Sequence, residues 1–564
     1  MKLALFFIEC CCVLFCFADQ QRSSSPIFKE VAEQVGLKFQ HYNGMTGKFY
    51  LPEITGSGAA LFDFDNDGDL DVFLVQGNVL EPNTQPSSTL FPWRGVEPPR
   101  GRLFRNDLTA GKRLTFTDVT QKSGIVAGGY GMGAAVGDIN NDGLPDLYLS
   151  NLGSNQLYLN KGDGQFTDVT KESGTDDPRW TTSAAFFDYD RDGWLDLMIV
   201  NYADFSVTNS PNCFAATTAR DYCTPRVFRA PGNRLFRNKG KGIFEDVTAP
   251  ARVDKEFGHG LGIVTADFND DEWIDIYVAN DGDPNQLWIN QKNGTFTNEA
   301  LLAGAAVNRN GQAEAGMGVD AGDFDGNGTE DIFVTHLMDE TNTLYVNLGE
   351  TLFEDRTRES GLGMPGRRFT GFGTFFFDYD NDGWLDLFAT NGAVQLLPDL
   401  VRRKDPFPLG QPDQLFRNTG KGSFVEVMEQ LGPELQLLEV GRGAAFGDVD
   451  NDGDTDVLVT NNNGPARLFL NQVGNRNHWL GLRVVGRDGR DMLGARVDVV
   501  VSKDNVLQRR VRTDGSYLSA NDPRVLVGLG SATRVQAVRV RWPDGATADF
   551  TDLSIDKYTT LKPK

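Results

Sequence analysis

The sequence predicts an all-β chain: a seven-bladed β-propeller with calcium-binding loops, followed by a small C-terminal β-sandwich or barrel. Three observations carry this reading. A nine-residue acidic motif recurs at intervals of roughly 50 to 80 residues, a period that marks propellers and arrays. Each of its seven copies sits among the same four short strand patterns. Residues 476–564 then alternate apolar and polar in short runs around a WPDG turn at 542–545, a hairpin signal.

The motif is clearest at residues 62–74, FDFDNDGDLDVFL. Carboxylates this close repel one another unless a cation lies between them. Positions 1, 3 and 5 bring three side chains to one side of a tight loop, Gly68 at position 6 permits the turn, and position 9 is again Asp. An all-oxygen cage of this kind suits Ca²⁺. The first half resembles an EF-hand loop. The second half does not, because Leu74 stands where the EF-hand has Glu and begins no helix. The loop therefore joins two strands. The other reading of a single copy is a metal-free Asp/Asn/Gly turn; seven copies with the same offsets argue against it.

The candidate ligands are Asp63, Asp65, Asp67 and Asp71 in the first copy and Asp138, Asn140, Asp142 and Asp146 in the second. The third has Asp188, Asp190, Asp192 and Asp196, and the fourth Asp267, Asn269, Asp271 and Asp275. Asp323, Asp325, Asn327 and Asp331 follow in the fifth, then Asp378, Asp380, Asp382 and Asp386 in the sixth. Asp448, Asp450, Asp452 and Asp456 make the seventh. Glu272 replaces the turn glycine of the fourth copy, so that site is expected to be distorted or weak.

Around each loop the strands repeat. An apolar run such as GSGAALFD precedes it and one such as LDVFLV follows. A third run comes next (RLFRN, QLYLN, QLWIN, TLYVN), then a fourth (TFTDVT, IFEDVT). The seventh unit lacks its fourth strand, and IFKEVAEQVGL at 27–37 supplies a match. The N-terminus is therefore expected to complete the last blade, leaving few open edges. The expected organisation is a signal peptide at 1–18, a short segment at 19–26, the propeller at 27–475 and the C-terminal domain at 476–564.

Charge divides along the same line. Residues 476–564 carry 16 Lys or Arg against 10 Asp and no Glu, a net +6, which leaves −30 on residues 1–475 of the total −24. An acidic propeller thus precedes a basic domain, and the two either attract or simply present solvated surfaces. The charge argues against sequence-specific nucleic-acid binding by the acidic part. The leader MKLALFFIECCCVLFCFA reads as a secretory signal, and no other run is long and apolar enough to span a membrane. Of the six cysteines only Cys213 and Cys223 lie beyond that leader; so close together in an exported chain, they are expected to form a disulfide.

The repeat units resemble FG-GAP (VCBS-type) repeats, as in integrin α-chain propellers. The segments NHWLGLRVVGRDGRDMLGARVDVVV, GSYLSANDPRVLVGLG and VQAVRVRWPDGATADF resemble the ASPIC/UnbV domain. Together they are similar to the cartilage acidic protein family, which includes many bacterial members. The resemblance implies a secreted, calcium-binding propeller with a C-terminal β domain and, for animal members, a role in the extracellular matrix. It implies no agreed biochemical activity.

Function is expected opposite the calcium loops, where the three longest insertions fall. They bring the ligand-face candidates Trp93, Arg94, Tyr222, Arg402 and Arg403, residue types suited to protein or glycan recognition. The competing reading is that such aromatics pin the loops down. No hydrolase, zinc-protease, P-loop or dinucleotide signature is present. His41, Glu53 and His259 are the candidates for a polar, metal or catalytic site at a central channel, against ordinary hydrogen bonding at blade junctions. The sequence thus points to a secreted extracellular, or periplasmic or outer-surface, adhesion module for a protein or glycan ligand. The alternative is a channel-centred enzyme acting on a polysaccharide or secondary metabolite.

Overall fold

The computed structural model describes residues 26–111, 113–215, 219–428 and 430–563. The leader expected at 1–18 lies outside them. Among the described residues, no helix is long and apolar enough to cross a membrane.

Among the described residues, seven four-stranded antiparallel sheets follow one another between Phe28 and Asn471. The first contains Ala59–Phe62, Asp71–Leu74, Arg102–Asn106 and Phe116–Asp118. Its middle strands bury every second side chain against the next sheet and the rest against the previous one. Val72 and Leu74 join the cluster shared with the seventh sheet, while Phe73 joins the cluster shared with the second. A strand buried on both faces reads as a continuous apolar run, which is why DVFL, DLMIVN and DIYVAN show no alternation.

The seventh sheet is assembled from both ends of the repeat region. Phe28–Glu30 pairs antiparallel with Arg467–Asn471, Phe28 opposite Asn471. The opening strands of successive sheets lie beside one another, and the opening strand of the seventh, Gly441–Gly447, also contacts that of the first. These sheets are propeller-like blades.

The C-terminal residues form two sheets around a shared core. Val525–Gly530, His478–Val484 and Tyr558–Leu561 make one, the last strand parallel to its neighbour. Asn505–Arg510, Arg496–Ser502, Ala537–Arg541 and Thr547–Phe550 make the other. Leu480, Leu482, Val497, Val499, Val527 and Val538 are fully buried between them.

This domain sits on the acidic loops, as its charge allows. Arg490 donates to Asn141 Oδ1 at 2.8 Å and to the Gly193 carbonyl at 2.9 Å. Arg524 donates to the Asp448 carbonyl and to Asn451 Oδ1, both at 2.7 Å. Arg509 donates to the Gly383 carbonyl at 3.1 Å, and Arg496 pairs with Asp270 at 3.1 Å. The basic face thus reads backbone oxygens of the loops as well as their carboxylates.

One segment goes further. Residues 512–521 leave the domain and touch the opening strand of all seven sheets. Ala520 N–H donates to the Ala59 carbonyl (2.8 Å), Ala134 N–H to the Leu518 carbonyl (3.0 Å) and Leu518 N–H to Ser183 Oγ (3.3 Å). Thr265 donates to Asp514 Oδ2 (2.6 Å), Ser516 N–H to the Val319 carbonyl (2.7 Å) and Ser516 Oγ to the Ala444 carbonyl (2.7 Å). The Tyr517 ring meets Phe372 edge-on at 4.9 Å. Ser516 and Leu518 hold φ of 66° and 57°, a left-handed backbone that costs an L-residue about 1–2 kcal/mol and persists only where contacts over-determine it.

Candidate metal centres and the opposite face

Each acidic loop is organised by its own backbone. The position-1 carboxylate accepts the N–H of position 6: Gly68 to Asp63 at 3.0 Å, Gly143 to Asp138 at 2.7 Å, Gly453 to Asp448 at 2.9 Å. The position-9 carboxylate is the anchor. All seven are 0–1 % exposed, and each accepts one N–H from position 2 of its own loop and one from the end of the third strand. Position 6 requires a positive φ, 85–99° at the six glycines. Glu272 adopts 72° and still donates its N–H to Asp267 at 2.7 Å, so the fourth loop keeps its shape in spite of the strain.

Positions 1, 3 and 9 converge. In five loops one carboxylate oxygen from each lies within 4.8 Å of the others: Asp63/Asp65/Asp71, Asp188/Asp190/Asp196, Asp323/Asp325/Asp331, Asp378/Asp380/Asp386 and Asp448/Asp450/Asp456. Asn140 and Asn269 occupy position 3 of the other two. The position-3 oxygens Asp65 Oδ1, Asp380 Oδ1 and Asp450 Oδ1 are buried with no hydrogen-bond partner. A buried carboxylate oxygen left unpaired beside two further carboxylates is costly, and a hard dication accepts that whole donor set. Burial pushes the position-1 carboxyls of Asp63, Asp138, Asp188, Asp267, Asp323 and Asp448 up to about 6, and that of Asp378 to about 8. The fit is therefore good, and these clusters could coordinate a metal. Position 5 instead accepts the N–H of position 7, Asp69 to Asp67 at 2.9 Å, and in the third loop Arg237 bridges Asp190 (2.7 Å) and Asp192 (3.0 Å).

Sequence reasoning missed the residue that ties the loops together. All seven third strands end in Asn, a repeat visible in RLFRN, QLYLN and QLWIN. Its side-chain amide donates to a carbonyl of its own loop and to one of the preceding loop. Asn238 reaches Leu195 (3.0 Å) and Ile139 (2.8 Å), and Asn290 reaches Ile274 (3.2 Å) and Tyr189 (2.8 Å). Asn106 in the first sheet reaches Val449 in the seventh at 2.9 Å. Asn238→Ala leaves two buried carbonyls without donors and is expected to cost about 2–4 kcal/mol in urea unfolding with calcium present. A loss under about 1 kcal/mol would show that this clasp does not hold neighbouring sheets.

On the opposite side the long insertions meet. Cys213 and Cys223 form a disulfide, Cα–Cα 5.2 Å. Phe91 and Phe407, from two different insertions, lie edge to face at 5.6 Å, and Arg220 donates to the Lys48 carbonyl at 2.9 Å. Trp93 packs tilted against Tyr42 at 5.6 Å and donates its indole N–H to the Glu97 carbonyl at 2.7 Å, so it pins its loop. Tyr222 is buried against Phe49 at 5.1 Å. Arg94, Arg402 and Arg403 are exposed, with Arg402 paired to Asp399.

His41, Glu53 and His259 are not joined by any hydrogen bond. His41 is buried, and that burial, with Arg442 nearby, pushes its imidazole down to about 3; Nδ1 accepts the Asn463 N–H at 3.0 Å. Glu53 accepts the N–H groups of Thr46 and Tyr50, both at 3.2 Å, and burial raises its carboxyl to about 7. His259 Nδ1 faces Asp283 Oδ2 at 2.7 Å. Between the insertions and the Tyr517 tip lies a cavity of about 390 Å³, lined by Tyr202, Tyr222, Asp281, Glu340, Phe372 and Tyr517 among others.

Family profiles agree with the repeat pattern. The FG-GAP-like repeat matches residues 138–199, 267–334, 323–389 and 397–459, and the ASPIC and UnbV profile matches 486–564. The chain is an FG-GAP-repeat protein with a C-terminal ASPIC/UnbV domain. It is homologous to the cartilage acidic proteins. Cartilage acidic protein 1 of Homo sapiens is 28 % identical over 316 residues, 55 % of this chain and 44 % of that protein. The Xenopus tropicalis protein is 26 % identical over 321 residues, 56 % and 38 % of the two chains. The match thus spans less than half the length of these relatives. Among solved structures, the BP39L lectin from Burkholderia pseudomallei is similar with a TM-score of 0.42 at 11 % identity, covering 74 % of this chain and 96 % of that one. An Agrocybe aegerita lectin specific for terminal N-acetylglucosamine has a TM-score of 0.37 at 15 % identity, covering 64 % and 82 %.

Proposed function

We propose that this FG-GAP-repeat protein is an exported, calcium-stapled propeller of seven blades. On this reading its long-loop face is a binding or adhesion module for an extracellular protein or glycan. The closed ring is supported by the N-terminal strand in the seventh sheet, by the Asn106–Val449 bond and by the single segment that meets all seven opening strands. Calcium is supported by the converging carboxylates and their unpartnered position-3 oxygens. Export is supported by the leader, by the disulfide and by homology to the cartilage acidic proteins.

The observation that carries the binding role is the convergence of two of the insertions, the Cys-bearing one and the one after residue 391, around one aromatic-lined cavity on a rigid scaffold. A channel-centred enzyme is the weaker reading, because residues 512–521 occupy the axis on which the sheets converge. The test is an array of glycans and matrix proteins, probed in calcium and in chelator with the wild type and with Ala313→Trp, which fills the cavity rim. A calcium-dependent hit lost in the variant is the expected result. A hit that Ala313→Trp leaves intact would remove the recognition surface from this face.

A further inference from the structure

The cavity on the long-loop face is lined by two carboxylates and one base, so its wall is net negative. Asp281 and Glu340 both line it, and neither has an ion-pair partner among the described residues. Asp281 accepts the Tyr202 hydroxyl at 2.6 Å, and Glu340 accepts the Ala315 N–H at 2.9 Å; both bonds leave carboxylate oxygen available. Arg226, the one basic residue of the lining, is already engaged with the Gly282 carbonyl. His259 is hydrogen-bonded to Asp283 rather than to Asp281, although it lies close enough to favour the ionised form of both. Arg442 lies under Phe372 at 3.9 Å, bonded to the carbonyls of Ile54, Gly392, Gly441 and Ala393, and does not line the cavity.

The rest of the wall is aromatic and apolar. Tyr202, Tyr222, Phe372 and Tyr517 present four rings, and Leu51, Ile54 and Met317 fill between them. Unpaired carboxylates set in an aromatic wall favour a cation on an apolar stem: the stem packs on the rings and the head meets the carboxylates. A neutral ligand would leave the excess negative charge uncompensated in a partly desolvated site.

We propose that this cavity takes the basic side chain, lysine or arginine, of a partner protein. The proposal rests on the reading of this face as a recognition surface and names what that surface recognises. Tyr517 comes from the C-terminal domain, so the site is complete only while that domain is docked.

The experiment uses the full calcium-loaded chain and ligand-observed NMR titration with five probes: the Nα-acetyl amides of lysine, arginine, norleucine and glutamate, and butylammonium. The lysine or arginine amide is expected to bind about tenfold more tightly than norleucine, which has a comparable stem and no charge. Asp281→Asn and Glu340→Gln, which keep the hydrogen bonds to Tyr202 and Ala315, are expected to weaken it about fivefold or more at unchanged melting temperature. Norleucine binding equally, or lysine binding unchanged in both variants, would overturn the assignment. Tighter binding of butylammonium than of the lysine amide would move the source from a protein to a free amine and overturn it too. If no probe binds while an array ligand is still lost in Ala313→Trp, the basic side chain is wrong and the recognition face stands.

Discussion

In excess chelator the repeat region is expected to melt roughly 10 °C lower than in millimolar calcium, on the size scaling of unfolding entropy for about 450 residues. Extracellular modules bind calcium with Kd of roughly 10⁻⁴ to 10⁻³ M. At about ten times Kd each site contributes on the order of 1.4 kcal/mol. Seven sites then approach the whole stability of a typical domain, about 5–15 kcal/mol. An unchanged melt in chelator would remove calcium from the account of the fold. The pH response supplies a second, independent sign. Without metal, the position-1 carboxyls have folded pKa values of about 6 against an ordinary 3.8, because burial disfavours the charge. A raised folded pKa means that the protonated form folds better. That contribution is complete below the ordinary value and is lost as pH rises through about 6. The chelated protein is therefore expected to be more stable near pH 5 than near pH 7.5, on this linkage. With calcium bound the carboxylates are held ionised, and stability should fall over the same acid range. Two melting series, with and without chelator, read both slopes.

Tyr517→Ala is expected to cost about 3–5 kcal/mol, the usual range for emptying a large buried aromatic site. The side chain is fully buried, its hydroxyl donates to the Thr55 carbonyl at 3.1 Å, and its ring packs on Phe372. Removing it opens a void at the point where the sheets converge and takes one wall from the cavity. The C-terminal domain should then undock more readily, visible as faster proteolytic cleavage within 512–524. Lys503→Ala, at an exposed turn of the same domain, is the control and should leave both stability and cleavage unchanged. Equal cleavage rates for the two variants would show that the segment does not hold the domain in place.

Much of this was readable along the chain because it is local. The loop offsets, the glycine that must take a positive φ and the four-strand unit each lie within a few dozen residues. Repetition turned a weak signal into a strong one. The pairing of residues 27–37 with the seventh unit was readable too, since it fills a gap in a count. Other features left a trace with no stated meaning. The terminal Asn of each third strand recurs seven times, yet its use depends on the carbonyls of a loop some 90–100 residues earlier in the cases of Asn160, Asn238 and Asn290. Glu272 looked like a distortion, and hydrogen bonding within the loop holds the turn regardless.

The sequence by itself determined the blade unit, the acidic loops, the disulfide pair and the division between an acidic repeat region and a basic tail. All of these rest on short-range spacing or on composition. Only the tertiary structure decided that residues 512–521 lie where the sheets converge. That segment, TDGSYLSAN within it, has no strand alternation and no charge pattern to announce a core position. Its burial is imposed by donors and acceptors on six strands and an aromatic ring on the seventh, 72 to 460 residues away along the chain. The same holds for the cavity: its rings and carboxylates come from four sheets and a second domain, and no spacing in the chain relates them.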